Sequence, residues 1–230
     1  MSINLNPRQI LKMNLYLILF LLLAHITGII SKYYFAHDHV YGLVSLFDFD
    51  FEKNIPTLYS SLALIVASVL LSLIANANKK IGASYIPWYG LSLIFLFLSI
   101  DEIASIHERL ITPVRDYFGA AGLLYFSWVI PYALALVVFI FAYSKFLLQL
   151  PRNIMFLFLV SGTTFVLGAI GFELIGGRYY ELYGSNSIIY SLITTCEELL
   201  EMLGIAIFIY TLLTYIVSEF KFLKINIEKT

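Results

Sequence analysis

Residues 188–217 read IIYSLITTCEELLEMLGIAIFIYTLLTYIV. The stretch contains three charged side chains, all glutamates, and all of them lie in its first half. It is longer than the roughly 20 apolar residues that a helix needs to cross the hydrocarbon core of a bilayer. We therefore predict a transmembrane helix here, with an unusual group of acids inside it.

The rest of the chain has the same character. Of its 230 residues, 60% are hydrophobic and 13% charged, with a mean hydropathy of +0.88, which is far from the composition of a soluble domain. Five more apolar stretches predict five more spans, and no polar segment is long enough for a separate soluble domain. We predict an all-α integral membrane protein, a six-helix bundle forming one domain over residues 1–230. The predicted spans are 13–35, 55–76, 86–108, 124–148, 153–176 and 188–217.

Charge predicts the orientation of the bundle and excludes some functions. Six spans place both termini on one side, and nine of the fourteen Lys and Arg residues fall on that side. By the positive-inside rule it is the cytoplasm, which predicts a multi-pass protein of the plasma (inner) membrane with lipid as its main partner. A net charge of -1 gives no support for nucleic-acid binding. The only cysteine, Cys196, excludes an intramolecular disulfide and thiolate-rich metal sites.

Ionisable residues inside the predicted spans are the candidates for function, because a charge in the bilayer core costs roughly 3 kcal/mol. The third and fifth spans run outward and carry acids in their last turns, whereas the sixth runs inward and carries acids in its first half. These side chains should therefore converge in the outer half of the membrane. The candidate metal-ligating residues are Asp101, Glu102, His107, Glu108, Glu173, Glu197, Glu198 and Glu201.

The leading hypothesis is a divalent metal site. Carboxylate-rich sites between helices suit Fe, Mn, Mg or Ca better than Zn. We expect Glu197, Glu201 and Asp101 to be direct ligands, followed by Glu108 and Glu173. His107 faces away from Asp101 on an ideal helix and would join only where the helix ends or unwinds. Such an ion would support metal-assisted hydrolysis or oxidation of a lipid-phase or periplasmic substrate.

Two alternatives use the same acids. In a proton- or cation-coupled transporter or channel, the acids would carry protons or small ions, with Ser99 and Thr194 as relays. In a structural or assembly protein, arginines would neutralise the acids, Arg109 pairing with Glu102 and Arg178 with Glu173 or Glu181.

Three further expectations concern local structure. Residues 47–52 alternate phenylalanine with acidic residues, which predicts an extended stretch with its aromatic side inward; a cation-capturing role is the alternative. Trp88 is expected to anchor a helix end in the headgroup region. Gly162, Ala169 and Gly177 should form a small-residue face beside Glu173 for close helix packing.

Overall fold

The computed structural model describes residues 6–220, and within this part of the chain all regular structure is helical. Two short segments of other helix types accompany the α-helices, a 3-10 turn at Gly122–Leu124 and a π-helical segment at Leu167–Phe172. The α-helices are α1 (Pro7–Tyr34), α2 (Leu43–Phe47), α3 (Ile55–Lys80), α4 (Ile86–Ala104), α5 (Ile106–Phe118), α6 (Val129–Leu148), α7 (Arg152–Val166), α8 (Glu173–Tyr183) and α9 (Ile188–Glu219).

Six helical runs in residues 6–220 are long and apolar enough to cross a membrane. They are α1, α3, α4, α6, the continuous run Arg152–Tyr183 that contains α7 and α8, and α9. The predicted six-helix architecture is confirmed, and it is compatible with a multipass membrane protein. The cytoplasmic location of the termini stays a prediction. Three of the lysines on which it rests lie outside the described residues, namely Lys221, Lys224 and Lys229.

Helix starts follow from local chemistry. The side chain of Asn54 accepts a hydrogen bond from the backbone N–H of Thr57 at 3.1 Å and caps α3. Ser187 caps α9 in the same way, accepting from the N–H of Tyr190 at 3.1 Å. Pro87 lies in the first turn of α4, where its missing N–H costs nothing.

The centre of the bundle is α9, which packs against α1, α3 and α7. Side chains such as Leu71 of α3, Ile154 of α7 and Leu212 of α9 are fully buried between these helices. Trp88 belongs to this core, with 2% of its surface exposed and its ring 4.7 Å from that of Tyr215. The expectation that Trp88 anchors a helix end in the headgroups is therefore wrong; a ring this large gains more from the aromatic cluster it fills.

Paired serines join α3 to α4. The hydroxyl of Ser61 donates to the carbonyl of Ser99 at 3.0 Å, and that of Ser99 donates to the carbonyl of Ser61 at 2.9 Å. Two turns away, Ser68 and Ser92 make the same reciprocal bonds at 2.8 Å. Small side chains let the two backbones approach, and each hydroxyl finds a partner without water. Ser99 is thus engaged in helix packing.

The fifth spanning run meets α9 at two glycines. A Cβ atom on Gly204 would lie 2.8 Å from the backbone nitrogen of Phe165, and one on Gly168 would lie 2.6 Å from the carbonyl oxygen of Glu197. The expected small-residue face is wrong: Gly162 has open space and Gly177 packs on Phe126. The π-helical segment explains the difference, because its wider turn shifts every later residue off an ideal helical wheel.

The connection between α1 and α3 is compact and contains the short helix α2 followed by turns. The extended stretch expected over residues 47–52 is therefore absent. Phe49 does point inward, with 4% of its surface exposed, whereas Phe51 is 53% exposed. The acids after Phe49 lie on this turn rather than on one face of a strand.

Candidate functional site

A helix break brings His107 to Asp101. Helix α4 ends at Ala104, and Ser105 adopts a left-handed conformation with φ at 50° and ψ at 49°. Such a conformation is uncommon outside glycine and turns the chain sharply. Helix α5 then starts in a new direction. The condition for His107 to join the acids, an interruption of the third span, is fulfilled.

Asp101 is the best-bonded acid of the site. It is 5% exposed, and its Oδ1 accepts the backbone N–H of His107 at 2.8 Å. Its Oδ2 accepts the hydroxyl of Tyr132 at 2.9 Å and lies 3.3 Å from His107 Nδ1. Burial disfavours a charged His107, but the hydrogen bond and charge of Asp101 outweigh it and raise the pKa of that imidazole. Asp101 and His107 thus form a charge-assisted pair.

Glu173 and Glu197 form a second group. The indole Nε1–H of Trp128 donates to Glu173 Oε1 at 2.5 Å, and the Trp128 ring lies 4.8 Å from that of His107. Trp128 therefore links the two groups. Glu197 of α9 is the neighbouring acid of Glu173. Neither Trp128 nor Tyr132 was predicted, because aromatic residues near a helix start resemble ordinary interfacial anchors.

Glu102, Glu198 and Glu201 form a trio between α4 and α9. The strongest charged neighbour of Glu102 is Glu198, that of Glu198 is Glu201, and that of Glu201 is Glu102. All three side chains are partly exposed, although they sit within the packed helices.

The α1–α3 connection adds Glu52, which was not among the predicted site residues. Its carboxyl interacts with each member of the trio, and its Oε2 is buried without a hydrogen-bond partner. Burial, followed by the charges of Glu108 and Asp101, raises the pKa of Glu52 to about 7, although His107 opposes the shift. Burial and Asp48 likewise raise the pKa of Asp50 to about 6. The sequence signal for these acids was the alternation of phenylalanine with acidic residues over 47–52, but it predicted an extended stretch.

The remaining predicted partners lie elsewhere. Glu108 and Arg109 are exposed on α5. Arg178 pairs with Glu181 at 2.9 Å, which is one of the two pairings expected of a structural protein. This pair is half-exposed and does not neutralise Glu173. Between residues 6 and 220 it is the only ion pair of an Arg or Lys with a carboxylate within 4.0 Å. Cys196 is exposed and free.

The arrangement has a definite chemical meaning. Carboxylates this close in a low-dielectric setting cannot all be ionised; they must hold protons or surround a cation. Nevertheless, within residues 6–220 no group of three or more His, Cys, Asp and Glu side chains could hold a metal ion as they stand. The acids share one region of the bundle, but they are not assembled as a ligand set.

Comparison with known proteins adds family membership. No curated protein matches the chain, and no solved structure matches it. A family model described as a domain of unknown function (DUF8692) matches residues 14–216, which contain all of the acids discussed above. The chain therefore belongs to the DUF8692 family.

Proposed function

We propose that this chain is a plasma-membrane protein whose carboxylate pocket binds a divalent cation. The pocket consists of the trio Glu102, Glu198 and Glu201 together with Glu52. The observation that carries the proposal is the buried Oε2 atom of Glu52, which has no hydrogen-bond partner and belongs to a carboxyl group that is a charged neighbour of all three members of the trio. A cation would give this oxygen a partner and offset the charge of the trio.

The chemistry of the pocket favours some ions over others. Its ligands would be carboxylate oxygens, which suit Mg, Mn, Ca or Fe better than Zn. The earlier expectation of Asp101 and Glu197 as direct ligands receives less support, because Asp101 is held by His107 and Tyr132 and Glu197 by Glu173. These two acids fit a role in orienting the pocket.

Binding would require the side chains of the trio to rotate towards one another and to release protons. Cation affinity should therefore rise with pH, and binding should acidify an unbuffered solution. A bound ion would also supply Lewis-acid or redox chemistry. On that basis we extend the proposal to metal-assisted hydrolysis or oxidation of a lipid-phase or periplasmic substrate.

The test is elemental analysis of detergent-purified protein, with Glu201→Gln as the site variant. Glu219→Gln is the matched control, because Glu219 is an exposed glutamate at the other end of α9. We expect close to one equivalent of metal in the parent and the control, and a large loss in Glu201→Gln. A parent protein without stoichiometric metal, before and after incubation with Mg²⁺, Mn²⁺, Ca²⁺ or Fe²⁺, would refute the proposal.

A second candidate function is proton- or cation-coupled transport. It is supported by the contacts of the Asp101 carboxyl group with the Tyr132 hydroxyl and the His107 ring, and by the adjacent carboxyl groups of Glu173 and Glu197, since such series can pass a proton. The measurement is proton and cation flux in proteoliposomes. Flux that disappears in Glu197→Gln but persists in Glu219→Gln would favour transport over a static cation site.

A further inference from the structure

His25 joins three parts of the molecule at one buried ring. It is 1% exposed, and its Nδ1 accepts the backbone N–H of Phe49 at 3.1 Å. Its Nε2 lies 2.8 Å from the hydroxyl oxygen of Thr195. The imidazole also stacks on the Phe49 ring, with centroids 4.3 Å apart and planes 7° from parallel. Helix α1, the α1–α3 connection and α9 therefore meet at this residue.

The hydrogen bonds determine which nitrogen carries the proton. Because Nδ1 accepts from Phe49, a neutral His25 has its proton on Nε2 and donates it to Thr195. The Thr195 hydroxyl in turn donates to the carbonyl of Ser191. Asp48 Oδ1 also lies 3.5 Å from His25 Nδ1. The ring thus holds the backbone at Phe49 in a single position relative to α9.

The position of Phe49 determines that of Glu52. The Phe49 ring packs with Ile18 of α1 and Met202 of α9. Met202 directly follows Glu201 in the chain. Five residues after Phe49, the Asn54 side chain donates to the carbonyl of Asp48 at 2.5 Å and caps α3. Residues 48–54, here called the cover segment, are therefore fixed at both ends. Between these ends lies Glu52, a charged neighbour of each member of the trio.

We propose that the cover segment closes the acidic pocket and that His25 is the positioning residue that keeps it closed. His25 does so by accepting the Phe49 N–H. Loss of that acceptor releases the segment and withdraws Glu52 from Glu102, Glu198 and Glu201. The closure itself stands on the hydrogen bonds and packing; only its effect on a bound cation rests on the proposed function.

Two substitutions separate the ring nitrogens. The amide oxygen of His25→Asn can take the place of Nδ1 and keep the Phe49 bond, whereas the amide of His25→Gln reaches the place of Nε2 and keeps only the Thr195 bond. If His25 only filled space, His25→Gln would disturb the cover segment less than His25→Asn, because glutamine is closer to histidine in size. Hydrogen exchange of the peptide covering residues 48–54, followed by mass spectrometry, reads the closure directly.

We expect the cover segment of His25→Gln to exchange about fivefold faster or more than the parent, with α9 still protected. The segment of His25→Asn should match the parent. Equal exchange in the two variants, or faster exchange in His25→Asn, would overturn the proposal.

Cation binding then tests the consequence separately. Where the parent binds Mn²⁺, His25→Gln should weaken Mn²⁺ binding, but it should have no further effect in protein that already carries Glu52→Gln. Equal weakening in both backgrounds would mean that His25 does not act through Glu52. If the parent binds no cation, the proposed function fails, while the exchange experiment still decides whether the segment closes.

Discussion

Gly168→Ala probes the contact that aligns the fifth spanning run with the acids of α9. A methyl group at this position would lie 2.6 Å from the carbonyl oxygen of Glu197 and 3.1 Å from the backbone nitrogen of Glu201. Ordinary van der Waals contact begins at 3.4 Å, so the closest approach is about 0.8 Å too short. Both contacts involve the backbone of α9, and rotating a side chain cannot relieve them.

The size of the effect follows from this geometry. The two helices must separate, and overpacking of this kind costs about 1–3 kcal/mol. Gly162→Ala is the matched control on the same run, because its Cβ would have nothing within 4 Å. Alanine at an open helical position is favoured over glycine by roughly 0.5–1 kcal/mol, a gain that applies to both variants. We therefore expect Gly168→Ala to melt roughly 2–12 °C below Gly162→Ala.

The assay is thermal unfolding of both variants in one detergent, at one protein concentration and pH. Cation binding of the folded proteins should be measured in parallel, because separation of the helices displaces Glu197 and Glu201. If Gly168→Ala melts at or above the temperature of Gly162→Ala, the fifth run does not pack on α9 as described. The assignment of Glu173 and Glu197 to one group would then fail with it.

Three other predictions test the site and its frame. In the folded state the pKa of Glu52 is about 7 against an ordinary 4.5, so between these pH values the folded protein holds a proton that the unfolded chain has lost. The free energy of unfolding should therefore fall as pH rises from 4.5 to 7. Melting temperatures of Glu52→Gln over the same pH range should lack this decrease. Trp128→Phe leaves Glu173 without its indole donor and should destabilise the protein by about 1–3 kcal/mol, and the loss should shrink when Glu173→Gln is already present. Ser61→Ala and Ser99→Ala should each destabilise the protein by about 0.6 kcal/mol, because each removes a hydroxyl that donates to the facing carbonyl, and unchanged stability in both would mean that these hydroxyls add nothing to helix packing.

The sequence was sufficient to predict the helices and the proximity of acids on α4 and α9. Apolar length predicted the six runs. The direction of each span then brought Glu102 of α4 to Glu198 and Glu201 of α9. Both arguments work because a continuous helix makes depth proportional to position in the chain.

Sequence reasoning failed where a helix is not ideal. Nothing in a pattern of apolar residues indicates that Ser105 will adopt a left-handed conformation, or that Leu167–Phe172 will form a π-helical segment. Each irregularity changes the direction in which the following side chains point. The amphipathic character of residues 106–118 was the signal that the third span ends earlier than 108. Glu52 was missed because a turn can return an acid to the core, whereas periodicity describes only regular elements.

The central position of α9 has a consequence for how the protein is made. This helix is the last one along the described chain, yet it packs on α1, α3 and α7 and carries three of the clustered acids. Glu102 and Glu173 are therefore synthesised before their acidic neighbours Glu198 and Glu197 on α9. The serine-paired hairpin of α3 and α4 can form early, since both of its helices are already present. Synthesis of α9 then completes the bundle and brings Glu198 and Glu201 to Glu102.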